Sequence, residues 1–169
     1  MKRIALLGIA ICAVWALAYA ETWRTFAPPE GRFSVDMPGR PRQAKQKVEA
    51  NSEIVGLTIY LAESKGEAFA VTYADHDRFD DDREAIDRIL DGARDGAVRN
   101  SGGKLMSEER VVCCGCPGRA IVFKTESGRM VRELIVLSKD RLYQVYVLSD
   151  KSAQSEDSAR FFKSFKLRN

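Results

Sequence analysis

The sequence predicts an α+β domain: a twisted, mainly antiparallel sheet covered by helices. Three observations carry this. Apolar residues alternate with polar ones in a series of short runs, the period of half-buried strands. Most runs are joined by tight turns, which make antiparallel pairs, because a parallel crossover needs a dozen or more residues. Two stretches switch instead to three- and four-residue spacing, the period of an amphipathic helix.

The 169 residues are 45% hydrophobic and 30% charged, with 12 Gly and 5 Pro, a composition that excludes collagen-like, low-complexity and disordered classes. The first segment reads as an address. Lys2 and Arg3 form a positive head, Ile4 to Ala18 is uncharged and apolar, and Ala18-Tyr19-Ala20 sets small residues before Glu21. That is a secretory signal peptide over 1–20, cleaved after Ala20. The run is short for a membrane anchor and no stop-transfer pattern follows. Cys12 does not suggest a lipid attachment site, since bulky Ile11 precedes it. The expectation is export to the periplasm or beyond, with one domain over 21–169 and no transmembrane anchor after cleavage.

The leader takes two of the 27 basic residues and none of the 24 acidic ones, so the mature chain carries a net charge of +1. A near-neutral chain without a basic block offers no electrostatic footprint for nucleic acid.

Element by element, Trp23 and Phe26 precede Pro28-Pro29, and Phe33 to Asp36 is a short strand ended by Met37-Pro38-Gly39. Gln43 to Glu49 suits an exposed edge strand. In Ile54 to Glu63, Val55, Leu57, Ile59 and Leu61 share a face; Ala68 to Ala74 returns with Phe69, Val71 and Tyr73 on one face. Asp75 to Asp82 is an acidic loop whose Asp81 or Asp82 caps a helix from Arg83 to about Val98, with Ile86, Ile89, Leu90, Ala93 and Ala97 on its apolar stripe. Strands follow at Lys104 to Cys113, Arg119 to Thr125, Arg129 to Leu137 and Arg141 to Ser149, the first two joined by Gly115-Cys116-Pro117-Gly118. A last helix starts at Ser152 or Ser155, with Ala159, Phe162 and Phe165 inward.

Several of these segments resemble small exported bacterial proteins of PsbP-like fold: Gly31 to Pro41, Asp91 to Val98, Pro117-Gly118-Arg119, Asp140 to Gln144, and Ser164 to Leu167. The resemblance covers nearly the whole mature chain and implies an α/β/α sandwich. Its members with known roles dock on other proteins, and it carries over no functional residue. Cys113-Cys114-Gly115-Cys116 departs from the family's pattern at this hairpin.

Those cysteines are the sharpest candidates. C-x-x-C serves thiol chemistry when it opens a helix, whose N-terminus stabilises the thiolate; here Pro117-Gly118 follows, at a strand corner. A Cys113–Cys116 disulfide, with Cys114 pointing to the opposite strand face, is the structural reading. His76 with Asp75 and Asp77 offers a weak metal site, lacking the EF-hand's central Gly and terminal Glu. Trp23, Phe26 and Phe33 read as aromatics that tack the chain start to the core. No nucleophile–base, phosphate-loop or H-E-x-x-H pattern occurs, and no catalytic residue, cofactor or cofactor-binding residue is assigned. The expected function is an exported, non-catalytic accessory or binding domain that docks a protein or small ligand, its partner another exported or membrane-associated protein. The strand of Arg129, Arg132 and Glu133, the opening Trp23 and Phe26, and the Asp75 to Asp82 loop are the surfaces to inspect. The alternative is a thiol- or metal-handling protein built on Cys113, Cys114 and Cys116.

Overall fold

A computed structural model describes residues 22–50, 53–75 and 82–168. The predicted leader and its cleavage point, and His76, Asp77 and Asp81, lie outside these residues.

The chain begins with β1 (Trp23–Phe26), a 3-10 turn at Pro29–Gly31, and β2 (Phe33–Pro38). Next come β3 (Arg42–Ala50), β4 (Glu53–Ser64), β5 (Glu67–Asp75) and α1 (Arg83–Asn100). The second half holds β6 (Lys104–Cys113), β7 (Cys116–Lys124), β8 (Met130–Ser138), β9 (Arg141–Ser149), α2 (Glu156–Ser164) and β10 (Lys166–Leu167). Seven strands form one antiparallel sheet in the order β3-β4-β5-β9-β8-β7-β6, and β1-β2-β10 form a small second sheet. The α+β class with an antiparallel sheet holds.

Strand alternation divides the large sheet into two faces. On one, Tyr60, Phe69, Val71, Tyr73, Tyr143, Val145 and Val147 are buried against Phe33, Val35 and Met37 of β2, Phe161 of α2, and Phe165 just past its end. Most of the aromatic pairs meet edge-on, as Phe69 does with Phe161 at 5.4 Å between centroids, an arrangement favoured by the ring quadrupole. On the other face α1 buries Leu90 against Ile121, Phe123, Val131, Ile135 and Leu137. The helix begins on Asp82, whose carboxylate accepts from the Ala85 N–H at 3.1 Å, and it runs two residues past the expected Val98.

Three local expectations need correction. The β6–β7 turn is Cys114-Gly115, both with positive φ (55° and 79°), so β7 starts at Cys116 rather than Arg119. Pro117 is tolerated inside that strand because pairing with β8 begins only at Gly118. On α2, Ser155 is the cap, and Ser158, Phe161 and Phe165 face inward while Ala159 is exposed. Two adjacent phenylalanines satisfy the helical period in either phase, and packing chose the first. On β4, the deeper face is that of Tyr60 and Ala62, whereas Leu57, Ile59 and Leu61 are half-buried.

Candidate functional site

The two covering layers sit diagonally. α1 packs on β6, β7 and β8 from one side, while α2 packs on β2 and over the β5–β9 region from the other. The β6–β8 part of the α2-side face is therefore left open. Two rows of side chains floor it across the ladder: Glu109, Ala120 and Leu134, then Ser107, Val122 and Arg132. Phe162 of α2 and Gln154 close one wall, and the resulting cleft has a volume of about 570 Å³. That lies in the range of ligand sites, and an apolar floor with a few polar groups is their usual chemistry. The Arg132 guanidinium donates to the Ser152 carbonyl, tying the segment before α2 to the cleft floor.

The cysteine turn stands at the end of the same two strands. Cys113 and Cys116 are direct cross-strand partners, a relationship that places Cα atoms about 4.5 to 5.5 Å apart, within disulfide range. All three cysteines are nevertheless free thiols; the expected disulfide is not formed. Cys114 also departs from expectation. It occupies the turn, not a strand, and its Sγ lies 3.5 Å from that of Cys113 and 3.9 Å from the Phe165 carbonyl oxygen. Burial, then the neighbouring Cys114 sulfur, pushes the Cys113 thiol up to about 12, the reverse of the lowered value that marks a catalytic C-x-x-C thiol.

Other predicted positions take structural roles. Asp75 pairs with Arg141, which donates to it through Nη2 at 2.8 Å, and with Arg32 at 3.3 Å. Arg141 also stacks 4.0 Å over the Tyr73 ring and donates to the Glu30 carbonyl. Among the described residues no three His, Cys, Asp or Glu side chains are placed to hold a metal ion. Trp23 and Phe26 pack against the main core, and Phe33 lies within it. Arg129 pairs with Asp150 at 2.8 Å, and Glu133 is buried on the α1 side. Of the inspected strand, Arg132 and Glu133 both line the cleft, and Arg132 is the one in the row of side chains that floors it.

Compared with protein-family models and with curated proteins, the chain finds no match.

Sequence reasoning missed the cleft residues Ala120, Val122, Leu134, Gln154 and Phe162. A signal was present. A sheet of seven strands spaced about 4.8 Å apart is nearly 30 Å wide, and one helix of nine residues, about 14 Å long, is too small to cover its share of a face.

Proposed function

We propose that this chain is an exported, non-catalytic binding domain, of PsbP-like fold, that docks another exported or membrane-associated protein through the cleft between β6–β8 and α2. The observation that carries the reading is the open part of the sheet. Its floor is Ala120, Val122 and Leu134, its wall Phe162, and Arg132 and Glu109 stand beside them as polar anchors. Interface cores of this kind pair an apolar centre with a few charged or polar groups at the rim. The near-neutral mature charge agrees with a protein or small-ligand partner rather than nucleic acid.

The test places a photo-crosslinking residue at Val122 in the exported chain in its native setting, with a control at exposed Arg99 on α1. A discrete adduct from Val122, absent at Arg99 and lost on Ala120→Arg, is the expected result. Matching patterns from both positions, or none from either, would remove the docking reading. Export has its own check: mature protein should begin at Glu21, and retention of Met1 in a membrane fraction would contradict it.

A further inference from the structure

Strands β7, β8 and β9 each carry one arginine, and the three are not alike. Arg119 closes on Asp87 and Asp91, and Arg141 on Asp75. Arg132 instead gives an N–H to the Ser152 carbonyl, and among the described residues no carboxylate pairs with it. Glu109, also on the cleft floor, has no cation among those residues. The ladder fixes where the two charges stand. One row runs Glu109, Ala120, Leu134 from β6 to β8, and the next runs Ser107, Val122, Arg132. The cation thus ends one row on β8, and the anion ends the other on β6. Two strand spacings of about 4.8 Å and two residue steps of about 3.4 Å separate them, a diagonal of about 12 Å. Ala120, Val122 and Leu134 lie between, with Phe162 as the wall.

We propose that the cleft takes an extended C-terminal tail of the partner: its free carboxylate on Arg132, apolar side chains over the floor, and an upstream Lys or Arg facing Glu109. The inference rests on the docking reading and names the element that docks. Arg132 spends one N–H on Ser152 and keeps the rest of its guanidinium for a carboxylate, the anion whose two oxygens match that planar group. Such charge-assisted hydrogen bonds are about twice as strong as neutral ones, so a chain end gains here what an internal peptide group does not. An extended chain advances about 3.4 Å per residue, so a diagonal of about 12 Å spans three to four residues. The opposite charges at the two ends also fix the tail's direction. A fatty acid would satisfy Arg132 but lay hydrocarbon against the Glu109 carboxylate, whereas a basic residue upstream of a chain end meets both charges.

The experiment titrates the isotope-labelled exported chain with the peptide acetyl-Lys-Val-Ala-Leu, once with a free carboxylate and once as the C-terminal amide, and reads backbone amide shifts. The acid should move Ala120, Val122 and Leu134 and bind about ten-fold or more tighter than the amide. Arg132→Gln should bring acid and amide within about two-fold of each other, a loss of discrimination that a merely structural role would not cause. Glu109→Lys should reverse the preference for acetyl-Lys-Val-Ala-Leu over acetyl-Glu-Val-Ala-Leu, by about three-fold each way, as water-exposed charges allow. In the unaltered chain, equal binding of acid and amide, shifts confined to residues outside the cleft, or no saturable shift from either would each overturn the proposal, however the variants fold. Laurate binding in the cleft more tightly than the acid peptide would overturn it in favour of an acyl ligand. A Val122 adduct obtained alongside any of these results keeps the protein-docking reading and removes the chain-end inference alone, so the two fail separately.

Discussion

Gln144 Nε2 donates to Glu133 Oε1 at 2.7 Å across the β8–β9 ladder, on the face that α1 covers. The Glu133 side chain has no cation in that contact and the residue is only 4% exposed. Burial raises its carboxyl from 4.5 to about 7, against the smaller opposing effect of the Gln144 hydrogen bond. Tyr146, the facing titratable group on β9, is itself pushed up by burial, and β7 presents Ile121. The folded chain thus holds a proton that the unfolded chain releases near pH 4.5. The resulting stabilisation is complete below about pH 4.5 and is lost as pH rises through about 7. Glu133→Gln should remove this dependence and raise stability above about pH 8 by about 3 kcal/mol, since each tenfold difference in proton affinity between the folded and unfolded chain is worth about 1.4 kcal/mol. Denaturant melts of both chains from about pH 4 to about pH 9 check it; parallel pH curves would refute it.

Arg119 works the opposite way, as a buried charge with several partners. It is 3% exposed, with Nη2 at 2.6 Å from Asp87 and 3.2 Å from Asp91, and Nε at 3.1 Å from Glu108. The hydrogen bond from Arg119 is the main reason Asp87 is held below the usual carboxylate range. Arg119→Ala should destabilise by about 2 to 3 kcal/mol, toward the low end for a broken buried pair because these carboxylates retain access to water. Arg119→Met, tested in the same denaturant titration, should lose less, since an apolar side chain of similar length fills the buried position without a charge to satisfy. Equal losses would show that charge alone matters there.

Gly118 shows why a turn motif carries fold information without chemistry. A Cβ at this position would sit 2.4 Å from the Ile135 carbonyl oxygen of β8, a backbone atom that cannot move without opening the ladder. Gly118→Ala should therefore destabilise by about 3 kcal/mol, at the upper end for overpacking. The same change at Gly56, where a Cβ meets nothing within 4 Å, should stay near neutral. Thermal melts of the two variants side by side make the comparison, and a tolerant Gly118→Ala would mean β8 can shift.

The legible and illegible parts of this chain differ in what decides them. Period-two runs such as Tyr143-Val145-Val147 are local, and they located β9 and its buried face. The stripe of Leu90 and its neighbours likewise located α1. Where two phases fit equally, as with Phe161 and Phe162, only packing against Phe69 chose between them. Leu57, Ile59 and Leu61 show the same limit: an alternating apolar face can be the shallower one when the opposite face carries Tyr60 against Phe33 and Phe26. The cleft depends on where α2 docks relative to β6–β8, a relation between segments well separated along the chain that no local pattern records. For the cysteines, spacing placed Cys113 and Cys116 together, but the conformation of Cys114 turned on a two-residue loop that sequence reading had shifted toward Pro117-Gly118.

That loop yields the last expectation. Cys114 and Gly115 both have positive φ (55° and 79°), the signature of a type I′ hairpin turn, whose favoured first residue is Asn, Asp or Gly. A cysteine held left-handed there is strained by about 1 kcal/mol, since its Cβ crowds the following carbonyl. Its sulfur recovers little of this, with only weak contacts at 3.5 and 3.9 Å. Cys114→Asn should therefore raise stability by about 0.5 to 1 kcal/mol, a rise in melting midpoint of roughly 1 to 4 °C for a chain of this size. A raised midpoint would show that the left-handed cysteine is a strained residue in this turn. A lowered midpoint would instead mean that Cys114 anchors the turn to α2 more firmly than its contact distances suggest.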